Sequence, residues 1–470
     1  MKLVWLRRDL RAIDNTALNR AIETGESVIA VFIATPKQWE SHQMAPIQAD
    51  LIYRRLATLQ AELNTYSIPL LYRQCDDFSE SVDVLMDVAK EINADHIYVN
   101  KEYEVNETHR DLLAYQRSQD LNIGWSSFDD KCVQAPGTVL NQQGEYFKVF
   151  TPFKKAWLKQ VIWPQIVKTA AAEPVAQLSN TAQQWLWSHN QAFDYPRVDS
   201  SDYVVDFEGI RQQLRLFCHN TVNDYQTQRD FPAMAGTSLL SPYLAIGAIS
   251  PRQCMARLQA ETKSGELSDG AATWLSEVIW REFYQHLMYF EPRLCKGDNF
   301  HQWARNIAWQ HNDEHFQAWS QGRTGYPIVD AAMRQLNNTG WMHNRLRMIV
   351  ASFLTKDLHI HWRHGETYFM RQLIDGDFAS NNGGWQWSAS TGCDGQPYFR
   401  IFNPTTQGEK FDPQGEFIRR WVPELSTLDN KTIHQPWKAQ KKLDYPQPIV
   451  DHKAERAVTL SLYKQAKGNE

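Results

Sequence analysis

Two stretches carry side chains with more chemistry than a core needs. One is Trp341-Met342-His343-Asn344-Arg345-Leu346-Arg347-Met348. The other is Asp375-Gly376-Asp377-Phe378-Ala379-Ser380-Asn381-Asn382-Gly383-Gly384-Trp385-Gln386-Trp387. The second packs carboxylates, amides, glycines and two indoles into thirteen residues. Few structural loops need that mixture; a planar, hydrogen-bonding, redox-active ligand does. Read as a helix, the first stretch and its continuation put Leu346, Ile349, Val350 and Phe353 on one face. Asn344, Arg347, Met348 and Ala351 fall on the other, a polar face turned toward something bound. A second helix is expected over Glu366–Ile374, with Gly376 as a left-handed stop.

A third group lies on an expected helix over Trp274–Met288. There Glu277, Trp280, Arg281, Tyr284 and Met288 share a face, with Ile279, Phe283 and His286 roughly opposite. Glu277 and Arg281 have the spacing of an i,i+4 ion pair, worth a few tenths of a kcal/mol when exposed. That pair leaves Trp280 unexplained. A Trp beside a Glu, facing Asn344 and Met348, can stack a flat base and hydrogen-bond its edge. Ser241-Pro242 reads as a helix start with Ser as cap and Pro first in the helix. Such a start can hold an anion such as a diphosphate. Ser250-Pro251 reads as a second, purely structural start.

The elements that must position these groups fall into two kinds. Residues 1–130 alternate strands (Leu3–Leu6, Val28–Ala34, Leu70–Arg73, His96–Val99) with helical stripes (Ile52, Leu56, Leu59, Leu63; Val82, Leu85, Ala89, Ile92). The expectation is α/β, a doubly wound parallel sheet with helices on both faces. No GxGxxG follows a strand, which argues against a dinucleotide on a glycine-rich turn here. Residues 131–205 form an interdomain connector, of linker composition from about 165, with Trp185 and Trp187 as attachment points. Residues 206–470 read as all-α, with helical patterns to about 380 and a short proline-punctuated tail at the end.

Composition bounds the class. The chain has 470 residues, 43% hydrophobic and 22% charged, which implies a soluble protein of two or more domains. Its net charge of −5 advertises no global nucleic-acid field, but phosphate binding needs only a local patch. Six scattered cysteines show neither CxxC nor metal-ligand spacing, so reduced thiols, no metal and a cytoplasmic location are expected. The first residues do not read as a charged-then-apolar signal segment and no long apolar run follows, so neither a leader nor a membrane partner is expected. The 18 tryptophans are the unusual figure.

On these blocks, and on Trp5-Leu6-Arg7-Arg8-Asp9-Leu10-Arg11 and Phe399-Arg400-Ile401-Phe402-Asn403-Pro404, the chain resembles the DNA photolyase and cryptochrome family along almost its whole length. It is most similar to bacterial class I cyclobutane pyrimidine dimer photolyases with a folate antenna. The resemblance implies a helical FAD-binding domain and light-driven repair of dimers in UV-damaged DNA, by electron transfer from excited, reduced, anionic FAD to a flipped-out dimer. By this resemblance FAD is bound by Tyr225, Thr237, Ser238, Leu239, Leu240, Ser241, Trp280, Arg281, Asn344, Arg347, Asp375, Asp377 and Asn381. Asn381 matches the residue beside flavin N5, and Arg347 with Asp375 a salt bridge next to the ring. The lesion falls to Glu277, Trp280, Asn344, Met348 and Trp387, with Glu277 on the pyrimidine edge. Trp385, Trp362 and Trp309 match an electron-transfer chain from flavin to surface. A 5,10-methenyltetrahydrofolate antenna is expected in a cleft between the domains, on His42, Asn106, Glu107, Cys295 and Lys296.

Each assignment has a structural rival. His42, Asn106 and Glu107 also fit turns and caps, and the tryptophans fit core packing. Arg229, Arg345 and Arg400 are candidates for DNA phosphates or for internal ion pairs. A monomer without protein partners is expected. Three other functions remain: a signalling cryptochrome, a flavin electron carrier that ignores DNA, and a (6-4) photolyase. Asn381 and the short tail weigh against the first. Asn344 and Met348 weigh against the last, whose members carry His at both places.

Overall fold

In the first two strands successive side chains alternate between two cores. Val4, Leu6, Val28, Ala30 and Phe32 belong to one; Leu3, Trp5, Ile29, Val31 and Ile33 belong to the other. A strand buried on both faces needs helices on both, and the chain supplies them. The computed structural model describes residues 1–188, 191–262, 266–440 and 442–468. Its five parallel strands are β1 (Lys2–Leu6), β2 (Val28–Ala34), β3 (Leu70–Gln74), β4 (His96–Asn100) and β5 (Gly124–Phe128), in the order β3-β2-β1-β4-β5. Four match the sequence reading; β5 was missed. Its residues, Gly-Trp-Ser-Ser-Phe, form no apolar run and occupy the edge of the sheet. The helices are α1 (Thr16–Ile22), α2 (Pro36–Ser41), α3 (Pro46–Asn64), α4 (Phe78–Glu91) and α5 (Val105–Asp120). The expected stripes on α3 and α4 are buried.

The strand order reverses between β1 and β4, the usual ligand crevice of such sheets. Here charged side chains close it. Asn100 donates to Asp9 at 2.7 Å, Arg7 lies 3.8 Å from Glu102, and the remaining cavity is about 20 Å³.

The connector clips onto the β3 edge. The Tyr72 amide donates to the Trp185 carbonyl at 2.7 Å and the Trp187 amide to the Leu70 carbonyl at 2.9 Å. This covers an edge that would otherwise expose unpaired backbone groups. Both tryptophans attach as expected, Arg73 lying over the Trp185 ring and Trp187 being buried.

From Phe207 onward the described chain holds helices and turns, with no strand. Helices extend beyond 380: the tail ends in His452–Gly468, whose Tyr463 is fully buried against Trp303. The two domains are bonded together. Gln48 of α3 donates to the Ile374 and Gly376 carbonyls, both at 3.0 Å, and Arg8 donates to Gly376 at 3.2 Å. Gly247, in a left-handed conformation, lets its loop approach Arg8 so closely that a Cβ would lie 2.1 Å from the Arg8 carbonyl oxygen.

Candidate functional site

The site is built around the helix Phe378–Ser388, which packs on three others: Asp269–Phe290, Asn344–Lys356 and Trp362–Gln372. The glycine-rich stretch expected to be a ligand loop is therefore mostly helix. Part of its unusual composition answers to packing. A Cβ on Gly383 would lie 2.2 Å from the Tyr284 ring. Asn382 donates to Glu366 at 2.7 Å, and Gln386 to Asn382 at 3.0 Å. The Trp362–Gln372 helix begins four residues before the expected start. Gly376 does not adopt a left-handed conformation; the helix ends at Leu373 with extended backbone, and Gly376 serves through its carbonyl, held by Arg8 and Gln48.

That clamp fixes two carboxylates. Asp375 accepts from Arg347 at 2.7 Å, as expected. Asp377 caps the next helix, accepting from the Ser380 amide at 3.0 Å and hydroxyl at 2.8 Å. Burial alone would raise its pKa, but Lys131 and Arg281 hold it well below the usual carboxylate range. Asn381 donates its amide to the Glu366 carbonyl at 2.9 Å. Oδ1 of Asp375 and Oε1 of Gln285 are among the buried acceptors that lack a protein partner. A buried acceptor costs about 1–3 kcal/mol unless something donates to it. These residues therefore suit a ligand whose edge carries N–H donors.

The expected Glu277–Arg281 pair does not form. Glu277 instead holds Arg229 in a short contact, and Arg281 donates to the Lys131 carbonyl at 2.8 Å. The reason is reach: the connector offers Arg281 a buried acceptor, while Arg229 lies over Tyr225 beside Glu277. Asp230 continues the chain of charge to Arg345 at 2.8 Å. Burial raises the Glu277 pKa, with Arg229 opposing. Trp280 stacks on Phe150 with ring centroids 3.7 Å apart and 9° between planes, so one indole face is backed. Met288, expected on the mixed face, is buried and meets the Cys295 thiol at 3.8 Å. Met348 and Trp387 are half-buried, and Asn344 and Arg400 are exposed.

Tyr225 is buried, and Thr237-Ser238-Leu239-Leu240 runs as irregular backbone into a short helix, Ser241–Ala245. Ser241 is not its cap; Leu240 is, without a side-chain bond. The Ser241 hydroxyl instead meets the Trp341 indole N–H at 3.4 Å. Leu239 has φ of 52°, a strained value for a leucine. Ser250 is the true cap, in a capping box with Gln253.

Trp385 and Trp362 are buried and Trp309 is half-buried. Trp385 lies against the helix that begins with Trp362: a Cβ on Gly365 would sit 2.0 Å from its ring. His361 is in ring contact with both Trp362 and Trp309.

In the α/β domain Asn106 donates to His42 at 2.8 Å, and Glu107 lies 3.6 Å from the same imidazole. The Cys295 thiol, from the helical domain, lies against Val105. These four assemble; Lys296 points to solvent. Burial lowers the His42 pKa to about 4, and burial with Glu104 and Glu102 raises that of Glu107. Sequence reasoning missed Phe150, Gln285, Glu366 and Lys131. Phe150 and Lys131 lie far from their partners in the chain and gave no signal. Gln285 and Glu366 sit on amphipathic helices as buried polar residues, a signal that could have been used.

The family model for DNA photolyase matches residues 2–175, and that for the FAD binding domain of DNA photolyase matches residues 274–465. The chain is 60% identical over 472 aligned positions to the deoxyribodipyrimidine photo-lyase of Vibrio cholerae, covering 100% of both chains. Among solved structures it is similar to a bacterial class III photolyase from Agrobacterium tumefaciens, with TM-score 0.87 and 36% identity over 99% of this chain and 98% of that one. It is also similar to an archaeal photolyase from Sulfolobus tokodaii, described with two FAD molecules and the implication of a novel light-harvesting cofactor. There the TM-score is 0.83 and identity 31%, over 99% of this chain and 100% of that one. The α/β domain joined to a helical FAD-binding domain defines the class, and the chain belongs to the DNA photolyase family.

Proposed function

We propose that this chain repairs cyclobutane pyrimidine dimers in DNA with blue light, a carbon–carbon lyase reaction. The observation that carries the reading is Glu277 with Trp280 on one helix, which also sends Gln285 and Arg281 toward the clamped carboxylates of the FAD site. When bound, reduced FAD supplies an excited electron donor and takes the electron back once the cyclobutane ring has opened. The protein's tasks are to bind, orient and exclude water. Arg347, paired with Asp375, favours an anionic ring beside it. When FAD is bound, the side-chain oxygen of Asn381, with Asp375 Oδ1 and Gln285 Oε1, would accept from the ring's donors. The strained Leu239 backbone, with Thr237, Ser238 and Ser241, presents amides and hydroxyls to the diphosphate.

Trp280, backed by Phe150, stacks one base of the flipped dimer, and Trp387 covers the other side. Glu277 hydrogen-bonds the pyrimidine edge, where added charge collects in a site of low dielectric. Asn344 and Met348 complete the pocket, and neither can supply the acid chemistry of a His pair. Arg229, Arg345 and Arg400 take DNA phosphates, the first two from within their ion chain. Trp385, Trp362 and Trp309 form a relay that feeds electrons inward.

His42, Asn106, Glu107 and Cys295, with Lys296 at the rim, hold a 5,10-methenyltetrahydrofolate antenna. A neutral Glu107 carboxyl can both donate to and accept from a pterin edge. The Sulfolobus protein marks the rival, a second flavin; a near-ultraviolet band released as folate distinguishes them. The proposed form is a cytoplasmic monomer; no described helix is long and apolar enough to cross a membrane.

The test is purified, FAD-loaded protein given UV-irradiated oligonucleotides under blue light. Dimers should disappear, (6-4) lesions should persist, and binding should prefer irradiated DNA in a salt-sensitive manner. Loss of neither lesion would favour a signalling role.

A further inference from the structure

His361 is in ring contact with two members of the tryptophan relay, Trp362 and Trp309. Its ring centroid lies 5.5 Å from that of Trp362 and 5.2 Å from that of Trp309. It also caps the Trp362–Gln372 helix, its Nδ1 accepting the Arg363 amide at 3.1 Å. An imidazole whose Nδ1 accepts carries its proton on Nε2 and is uncharged. Burial, then Arg363 and His364, lower its pKa to about 4, so it stays uncharged at neutral pH. The cap fixes the ring's position and its charge state together.

We propose that His361 is a positioning residue of the relay: an uncharged ring seated between two indoles, which allows positive charge to leave Trp362 for Trp309. The proposal rests on the relay reading above. In the step, one electron leaves Trp309 and fills the hole on Trp362, which has passed its own electron inward through Trp385 to oxidised FAD. A soluble thiol reductant then restores Trp309. A fixed cation at position 361 would disfavour a hole on either neighbouring indole by about tenfold under the screening of a half-buried site.

The experiment is flash absorption spectroscopy of FAD-loaded, oxidised protein, reading the yield of the long-lived tryptophan radical. H361N keeps an uncharged acceptor for the cap and should stay within about twofold of the parent. H361K and H361R should fall by about tenfold. Repair by chemically pre-reduced protein should be unchanged in all three, which separates the relay from misfolding; two cationic variants guard against one failing to fold. Cationic variants that match H361N overturn the role of His361. W309F separates the two readings. If its radical yield equals that of the parent, the relay itself fails; if it loses the radical while H361K matches H361N, the relay stands and His361 has no part in it.

Discussion

At Glu277 one carboxylate has two claimants, Arg229 in the present structure and a pyrimidine edge in the proposed complex. A charge-assisted bond of this kind is worth about 1.5–3 kcal/mol. Glu277→Ala should therefore lower repair per absorbed photon by roughly tenfold. FAD content should hold, and binding of intact DNA should not weaken, because Arg229 keeps its charge. A yield that fell only in step with FAD content would contradict the assignment. Glu366 is a second case at this scale. Burial raises its pKa to about 7, against the opposing bond from Asn382. Its stabilising contribution is complete below the unfolded value near 4.5 and is lost as pH rises through about 7. The loss is on the order of 3 kcal/mol. Glu366→Gln, which cannot ionise, should gain thermal stability relative to the parent between roughly pH 5 and pH 8. Parallel Tm curves over that range would show that the carboxyl titrates normally.

At the scale of elements, glycine decides how closely helices approach. Gly365 lets the Trp385 ring lie directly on the Trp362–Gln372 helix. That ring is held by Phe369 and Trp319 and is not a flexible chain end. Gly365→Ala should thus force the ring to move, at a cost of about 1–3 kcal/mol despite the better helix propensity of alanine. Thermal unfolding measures the cost, and a changed Trp385 fluorescence reports the displacement. A more stable Gly365→Ala protein would mean that the ring has room to yield.

For the whole molecule the decisive contact is Lys131. It leaves the α/β domain just after β5, lies 2.8 Å from Glu104, and reaches to 3.7 Å from Asp377 in the helical domain. Burial would lower its pKa, but Glu104, Asp377 and Glu102 hold it charged. Removing one partner from a buried charge cluster costs about 3–5 kcal/mol. Lys131→Met should cost that much in denaturant unfolding and should also loosen FAD, because Asp377 keeps only Arg281 of its two counter-charges at the ring site. Loss of stability with FAD affinity unchanged would show that the domain contact does not reach the cofactor.

Local patterns in the chain were enough for much of this protein. Hydrophobic runs and stripes gave four strands, α3, α4 and the buried face of Asn344–Lys356, because burial writes a period directly into neighbouring residues. Long blocks such as the one from Asp375 to Trp387 carried the family. The edge strand β5 left no such period, since none of its residues is buried. Partner choice was decided only in three dimensions. Arg281 abandoned Glu277 for a connector carbonyl, Gly376 gave a carbonyl instead of a left-handed turn, and Phe150 came to lie on Trp280 from 130 positions away. Ion pairs and ring stacks depend on which groups folding brings within a few ångströms, and spacing along a chain says nothing about residues that meet only across domains.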